Sequence, residues 1–334
     1  MKFIPMLSRF APIGLDIGSC SIKAVQCRRV GGVLWPVAQA RFARTDCGSS
    51  VEEAELEVIA GVLRRQGFVG RDFVIAASHE KLKIAPLELP AKGPKVPIHR
   101  LARAEFSRLH KCDLAESEFA YWETPASARA GKATHLMALA YPHVDSNQQI
   151  GMFESAGLRI RAIDTHGSSL ARACLDLVEP GKASAILEVG WSSAVLVMIR
   201  NGVVAYERRI VDLALSKVHA ELERSAELPF DESLGALFDP AAQRLPVVTD
   251  VLGSYFNAIA QELTKTIAYA RHQYPESMVE QIFLVGGGAD LTSIDDQIQS
   301  ICGVETKRVQ WSASAHGVVA PAMASALGLS KFAA

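Results

Sequence analysis

Residues 12–35 read PIGLDIGSCSIKAVQCRRVGGVLW, and residues 185–206 read AILEVGWSSAVLVMIRNGVVAY. Each stretch is an apolar run, a tight turn (Gly18 to Ser21, Gly190 to Ser193), an alternating run, a second turn (Gly31-Gly32, Asn201-Gly202) and the start of another strand. Period-two alternation punctuated by glycine turns predicts strand, turn, strand, turn, strand in both places. A shift of 172 residues, the distance from Asp16 to Glu188, lays Gly18 on Gly190 and Ser19-Cys20-Ser21 on Trp191-Ser192-Ser193. Two copies are too few for a solenoid, so the repeat predicts two similar halves facing each other.

Outward from the hairpin sets the periodicity becomes helical. Residues 51–66 place Val51, Ala54, Val58, Ile59, Val62 and Leu63 at three- and four-residue steps before Gly67, and 73–78 reads as a buried strand. After the second set come a helix over 212–227, a long helical stretch over 241–274 interrupted at Pro246, and a buried strand at 281–285. Such alternation predicts α/β layers with a mixed sheet in each half. Between 80 and 159 the composition changes. Pro86, Pro90, Pro94 and Pro97 open a segment holding a helix (IHRLARAEFSRLHK), two strand-like runs (EFAYWET, THLMALAY) split by PASARAGKA, and a short helix ended by Gly157. These features predict an inserted subdomain of about eighty residues, within the usual size of small domains.

The chain has 334 residues, 49% apolar and 21% charged, enough for a substantial core and, at roughly 100–200 residues per domain, for two domains. Thirty-five Lys and Arg against 36 Asp and Glu give a net charge of −1. That balance argues against a strongly electrostatic nucleic-acid or acidic-lipid surface. Six cysteines, Cys20, Cys27, Cys47, Cys112, Cys174 and Cys302, are far apart in sequence without C-x-x-C, which points to a reducing compartment and no structural zinc. The opening MKFIPMLSRFAP lacks a signal-peptide apolar core, and no apolar run reaches the ~20 residues of a bilayer span. The expectation is a cytoplasmic protein.

The turn Asp16-Ile17-Gly18-Ser19-Cys20-Ser21 suits an oxyanion, because Gly18 lets backbone approach closely while successive N–H groups and hydroxyls converge as donors. Asp16 would repel a phosphate, so its natural role is to hold Mg²⁺, through water. The same pattern fits any hairpin turn, but its repetition at Glu188, Gly190, Ser192 and Ser193 would let two turns clamp one polyphosphate. A third element is IFLVGGGADL at 282–291, a buried strand running into Gly286, Gly287 and Gly288 and then a helix. It is neither G-x-G-x-x-G nor G-x-x-x-x-G-K-[ST], so the Rossmann and P-loop readings lose their support. Glycines there allow close approach to a base or sugar, or form a plain glycine corner.

IGLDIGSCSIKAVQ, AILEVGWSSAVLVMIRNG and IFLVGGGADL resemble, in order, the phosphate-1, phosphate-2 and adenosine elements of the actin, Hsp70 and sugar-kinase superfamily. Within it the chain is similar to the PilM family, cytoplasmic actin-like components of type IV pilus assembly related to FtsA. SAGLRIRAIDTHGSSLARA, AQELTKTIAYARHQYPESMVEQIFLVGGGADL and VVAPAMASALGLSKF extend the likeness nearly end to end. It implies an α/β, actin-like (duplicated ribonuclease H-like), two-domain ATPase fold with an FtsA/PilM-type insertion. The implied parts are a first subdomain at 12–79, 160–183 and 316–330 and the insertion at 80–159. A second subdomain at 184–212 and 276–315 and a helical nucleotide-capping subdomain at 213–275 complete the set. It further implies ATP with Mg²⁺ in the cleft between halves. As partner it implies the cytoplasmic N-terminal peptide of a PilN-like inner-membrane protein, with pilus motor components or self-association as further options. Membrane contact is then only indirect. Residue by residue, Asp16, Gly18, Ser19, Cys20, Ser21 and Lys23 would serve the first turn, Gly190, Ser192 and Ser193 the second, and Gly286, Gly287 and Gly288 would border adenosine, with Asp16 towards Mg²⁺.

The chain departs from the family pattern in three places. Glu188 stands where an aspartate is usual and is longer by one bond of ~1.5 Å, an error that can cost on the order of 100-fold in phosphoryl transfer. His166 stands where the family often has a water-orienting glutamate, and is equally an ordinary helix-start residue. IVDLALSKV replaces the usual G-x-x-L-T after the second hairpin. The expectation is nucleotide binding with slow or no hydrolysis, with Glu188 and His166 as the candidates for any catalysis. A small-molecule kinase on the same fold and a nucleotide-free adaptor are the alternatives. Cys20 reads as a serine substitute rather than a nucleophile. His79, His99, His110, His135, His143 and His219 lack metal-ligand spacing. Trp35, Trp122, Trp191 and Trp311 read as packing or anchoring residues, with Trp191 placed for stacking on, or blocking, the cleft. Residues 1–10 read as a frayed terminus or a short contact segment.

Overall fold

A computed structural model of the chain describes residues 10–44, 51–125, 133–273, 279–313 and 317–332. Cys47, the PASARAGKA linker except for its first and last residues, and residues 1–9 lie outside the described residues. The chain begins with strands β1 (Phe10–Ile17), β2 (Ser21–Val30) and β3 (Val33–Ala43), helix α1 (Glu53–Arg65) and strand β4 (Asp72–Ala76). Next come β5 (Lys83–Leu89), α2 (Ile98–His110), β6 (Ser117–Glu123), β7 (Thr134–Pro142), α3 (His143–Ser155), β8 (Arg159–Asp164) and α4 (His166–Cys174). The second hairpin set is β9 (Ala183–Val189), β10 (Ala194–Arg200) and β11 (Val203–Ile210), followed by α5 (Leu215–Ala226), α6 (Phe230–Phe238) and α7 (Pro246–Gln273). β12 (Val279–Val285), α8 (Ile294–Cys302), β13 (Glu305–Arg308), β14 (Trp311–Ala313), β15 (Gly317–Val319) and α9 (Ala324–Ser330) close the chain.

The two hairpin sets build sheets of one topology. The first has strand order β3-β2-β1-β4-β8 and the second β11-β10-β9-β12-β13. In both, the first three strands are antiparallel and the fourth and fifth join in parallel. Asn201 (φ 52) and Gly202 (φ 75) form one hairpin tip and Gly31 (φ 59) and Gly32 (φ 86) the other, the left-handed pairs that tight antiparallel turns need. The predicted duplicated α/β fold is therefore present as two sheets of matching strand order.

Contacts divide the chain into two compact units, one of residues up to Leu82, Tyr141–Ala173 and Gln310 onward, the other of Lys83–Ala140 and Cys174–Val309. In the first, Ile13, Leu15, Ile22, Ala24 and Ile75 pack with Leu56, Ile59 and Leu63 of α1 and with Phe153 of α3 on one face of the sheet. On the other face lies α9, whose residues Ala324 to Ser330 are all buried. Its small side chains bring backbones together: a Cβ on Gly14 would lie 2.0 Å from the Ala326 carbonyl, and one on Gly328 1.7 Å from that of Ser169. Ser330 pins the helix by accepting from the Cys27 amide at 2.9 Å and donating to the Pro12 carbonyl at 2.8 Å.

In the second unit Leu187, Leu196, Ile282 and Leu284 pack with α5 and α7 through Leu222, Leu252, Ile259 and Leu263. Residues 83–140 add a three-stranded sheet of order β5-β7-β6 with its own core, Phe106 and Ala102 of α2 against Leu87 and Leu136. Trp122 ties β6 to β11 by donating to the Val204 carbonyl at 2.8 Å.

Four local expectations change. The proline-rich opening of the 80–159 segment contains β5, with Pro86 opposite Met137; β5 is an edge strand, where a missing N–H costs no ladder bond. Pro246 starts α7 instead of interrupting a helix, the first-turn position where its locked φ is pre-set. Helix α6 was not expected, and Glu227 (φ 51) followed by Pro229 separates it from α5. The glycines at 286–288 lead into a single 3₁₀ turn, Gly287–Asp290, and the α-helix starts only at Ile294. No described helix is long and apolar enough to cross a membrane.

Candidate functional site

Asp16 and Ile17 end β1, Ser21 starts β2, and Gly18 to Cys20 turn between them. The Gly18 amide donates to the Ser21 carbonyl at 3.1 Å, and a Cβ on Gly18 would lie 2.8 Å from that oxygen. The turn's carbonyls are held from outside. The Cys20 carbonyl accepts from the Arg44 amide at 3.0 Å, and the Arg44 guanidinium reaches the Gly18 and Ser19 carbonyls, each at 3.4 Å. Glu55 clamps that guanidinium through both oxygens at 3.0 and 3.1 Å. Arg44 is thus a positioning residue, and only its place at the end of β3 could have signalled it.

Asp16 is buried, and Lys23 Nζ lies 2.9 Å from its Oδ2. The two residues face each other across the β1–β2 ladder. Burial pushes the Asp16 carboxyl up, but the Lys23 charge, then His166, with the Lys23 hydrogen bond and His79, hold it below the ordinary aspartate value. His166 opens α4 and is buried. Its ring lies 4.8 Å from that of His79, and its Nδ1 is 3.4 Å from Ser325 Oγ. Thr165 caps the helix, accepting from the Ser168 amide at 3.1 Å. Arg172 fixes α4 by pairing with Asp164 and donating to the Gly328 carbonyl at 3.1 Å. Asp16, Lys23, His79 and His166 therefore form one cluster at the first turn.

The second turn repeats the first. The Gly190 amide donates to the Ser193 carbonyl at 3.1 Å, and a Cβ on Gly190 would lie 2.8 Å from that oxygen. Here the carbonyls of Gly190 and Trp191 accept from the amides of Leu215 and Ser216 at 3.1 and 3.0 Å. The first amides of α5 thus do the work that Arg44 does in the other half, and Leu213 and Leu215 of IVDLALSKV enter the core. Arg209 Nε donates to Ser193 Oγ at 3.0 Å. Glu188 is buried between Val195 and Val285 in register. Trp191 packs at the edge of the core, its ring 5.3 Å from that of His219. His219 is a core histidine, with Nε2 at 3.0 Å from the Phe230 carbonyl and 2.9 Å from Ser233 Oγ.

The three glycines after β12 differ. Gly286 (φ 87) brings its backbone against β9, with a Cβ position 2.6 Å from the Val189 carbonyl and 2.8 Å from Glu188 Cγ. At Gly288 the Cβ position is filled by the Val189 side chain at 2.1 Å, whereas Gly287 faces open space. Close packing explains the outer two glycines, and Gly287 is the one with room for a ligand beside it.

Cys20 is disulfide-bonded, while Cys27, Cys112, Cys174 and Cys302 carry free thiols. For Mg²⁺, no group of three or more His, Cys, Asp or Glu side chains is placed to hold a metal among the described residues. A nucleotide-borne Mg²⁺ needs only one or two carboxylates beside phosphate oxygens and waters, a demand Asp16 can meet once Lys23 yields its oxygen.

Residues 114–319 match the profile of the type IV pilus assembly protein PilM family. This chain belongs to the PilM family. A PilM–PilN type IV pilus biogenesis complex contains a chain of the same fold, with TM-score 0.76 and 23% identity over 96% of this chain and 98% of that one. The ethanolamine utilization protein EutJ from Carboxydothermus hydrogenoformans gives 0.57 and 16% over 98% and 91%. MreB5 of Spiroplasma citri bound to ADP gives 0.52 and 10% over 97% and 96%. These likenesses place the family member in the actin-like fold. No curated protein matches the sequence.

Proposed function

We propose that this PilM-family chain binds Mg²⁺·ATP through both turns and hydrolyses it slowly or not at all. In this reading it works as a cytoplasmic assembly scaffold that engages the N-terminal segment of a PilN-like inner-membrane protein. One observation carries the nucleotide part: in each half a glycine amide closes on the carbonyl three residues later at 3.1 Å, with no space for a side chain. Such turns let oxyanions approach backbone donors closely. Lys23 supplies the positive charge, and Ser19, Ser21, Ser192 and Ser193 supply hydroxyls. Gly287 offers the adenosine its open backbone. The ADP-bound MreB5 relative supports the ligand class, and the PilM–PilN complex supports the partner.

Slow turnover follows from the base candidates. His166 Nδ1 points at Ser325 Oγ, and Glu188 is packed between two strands. A second reading, a nucleotide-free adaptor, is favoured by Lys23 occupying the Asp16 carboxylate. Calorimetric titration with Mg²⁺·ATP and then with a PilN-type N-terminal peptide, alongside phosphate-release assays, separates the readings. ATP affinity with negligible release and peptide binding is expected. Peptide binding with no ATP affinity selects the adaptor, and rapid release refutes the scaffold reading.

A further inference from the structure

The first sheet carries an apolar and basic patch at the end away from its turn. Phe10 faces Arg28 across β1–β2, Arg28 faces Trp35 across β2–β3, and Val30 faces Val33. Directly opposed residues of an antiparallel ladder share a face, as do residues two apart along a strand. Phe10, Arg28, Val30, Val33 and Trp35 therefore lie together. Nearer the turn this same face is core, with Ile22, Ala24, Ala38 and Ala40 buried under α1. Towards the hairpin tip it is bare: Phe10 and Trp35 are each 41% exposed, Val30 49% and Val33 54%. Val69, 47% exposed, lies beside it, its amide and carbonyl bonded to Gln26 at 2.8 and 2.7 Å.

The surroundings are basic. The Arg28 guanidinium lies over the Phe10 ring at 5.8 Å. A cavity of about 180 Å³ lined in part by Phe68, Phe73 and Leu158 has Arg64 and Arg71 in its wall, both exposed. Asp72, the carboxylate at this end of β4, is engaged by Arg159 at 2.5 Å. Arg28, Arg64 and Arg71 thus give this end a local excess of positive charge. The near-zero charge of the whole chain averages this asymmetry away, which is why composition argued against an acidic-lipid surface.

We propose that this end of the first unit docks directly on an anionic lipid bilayer. Trp35, Val33, Val30 and Phe10 enter the headgroup boundary, where aromatic and aliphatic side chains are favoured. Arg28, Arg64 and Arg71 meet the lipid phosphates while their aliphatic stems cover apolar surface. The charge decides between occupants. The cytoplasmic flanks of inner-membrane proteins are themselves rich in Lys and Arg and would be repelled here, and so would a second copy of the same patch.

The test is flotation of the full chain with phosphatidylcholine vesicles and with vesicles also containing phosphatidylglycerol. Binding to the anionic vesicles alone is expected, released by high salt. Val33→Ser/Trp35→Ser and Arg64→Glu/Arg71→Glu should each weaken it about tenfold or more, with thermal midpoint and ATP affinity kept. The blue shift of tryptophan emission on the vesicles should be lost in Trp35→Phe. Failure to float with anionic vesicles, undiminished floating of both double variants, or a Trp35-dependent dimer or PilN-peptide complex in place of vesicle binding would overturn the proposal. None of these outcomes bears on the nucleotide reading.

Discussion

Replacing Lys23 by methionine keeps an unbranched side chain, one atom shorter, and removes its charge. In the folded chain Lys23 Nζ lies 2.9 Å from Asp16 Oδ2, with side chains 14% and 10% exposed. Breaking a buried pair by deleting one partner costs about 3–5 kcal/mol, because the other charge stays buried without compensation. The slight exposure, and His166 and His79 nearby, put the expected loss at the low end, ~3 kcal/mol. For a cooperative unit of roughly 150–250 residues that lowers the thermal midpoint by about 6–12 °C. The pH dependence gives a second signature. Against the rise that burial causes, Lys23 holds the Asp16 carboxyl below its ordinary value of 3.8. The pair's stabilisation is therefore complete above that value and is lost as pH falls through the depressed one. Without Lys23, burial dominates and the carboxyl titrates higher, so the deficit of the variant shrinks as pH falls from about 7 towards about 4. Asp16→Asn/Lys23→Met should recover most of the loss, since both charges are gone. Denaturant midpoints by circular dichroism across pH measure all three. A Lys23→Met variant within ~0.5 kcal/mol of wild type, or one with a pH-independent deficit, would show that the Asp16–Lys23 pair does not stabilise the fold.

Gly328→Ala should cost about 3 kcal/mol, because its Cβ would sit 1.7 Å from the Ser169 carbonyl; an unchanged thermal midpoint would contradict the α4–α9 contact. Gly287→Ala should leave the fold intact and lower ATP affinity, while Gly288→Ala should lower the denaturant midpoint by about 1–3 kcal/mol through its clash with Val189. Equal behaviour of the two variants would sink that distinction. Burial pushes the Cys27 thiol up to about 11, so a thiol reagent at mildly alkaline pH should label it only on unfolding; prompt labelling of the native chain would show the β2–α9 contact to be open.

The hairpin sets were legible because their signals are local: alternation of period two, and glycines at Gly31, Gly32 and Gly202 where φ is positive. The matching strand orders followed from that repeat. The edge strand around Pro86 was hidden, since a proline speaks against a strand unless the pairing is known. The site was legible as a set of turns but not as a cluster. The approach of Lys23 to Asp16 depends on the β1–β2 register, and that of His79 and His166 on β4, β8 and α4 meeting in space. Arg44 gave no signal beyond its place at the end of β3, because a side chain that grips backbone carbonyls needs no sequence pattern. Gly288 looked like a ligand-facing glycine, yet Val189 fills the space beside it, a packing fact invisible in a run of three glycines.

Both turns are proposed to serve one ATP. Equilibrium titration of Mg²⁺·ATP against wild type, Asp16→Ala and Ser192→Ala/Ser193→Ala tests it most directly. Each variant is expected to fold and to lose at least about tenfold in affinity, ~1.4 kcal/mol. Unchanged affinity in either variant would contradict it.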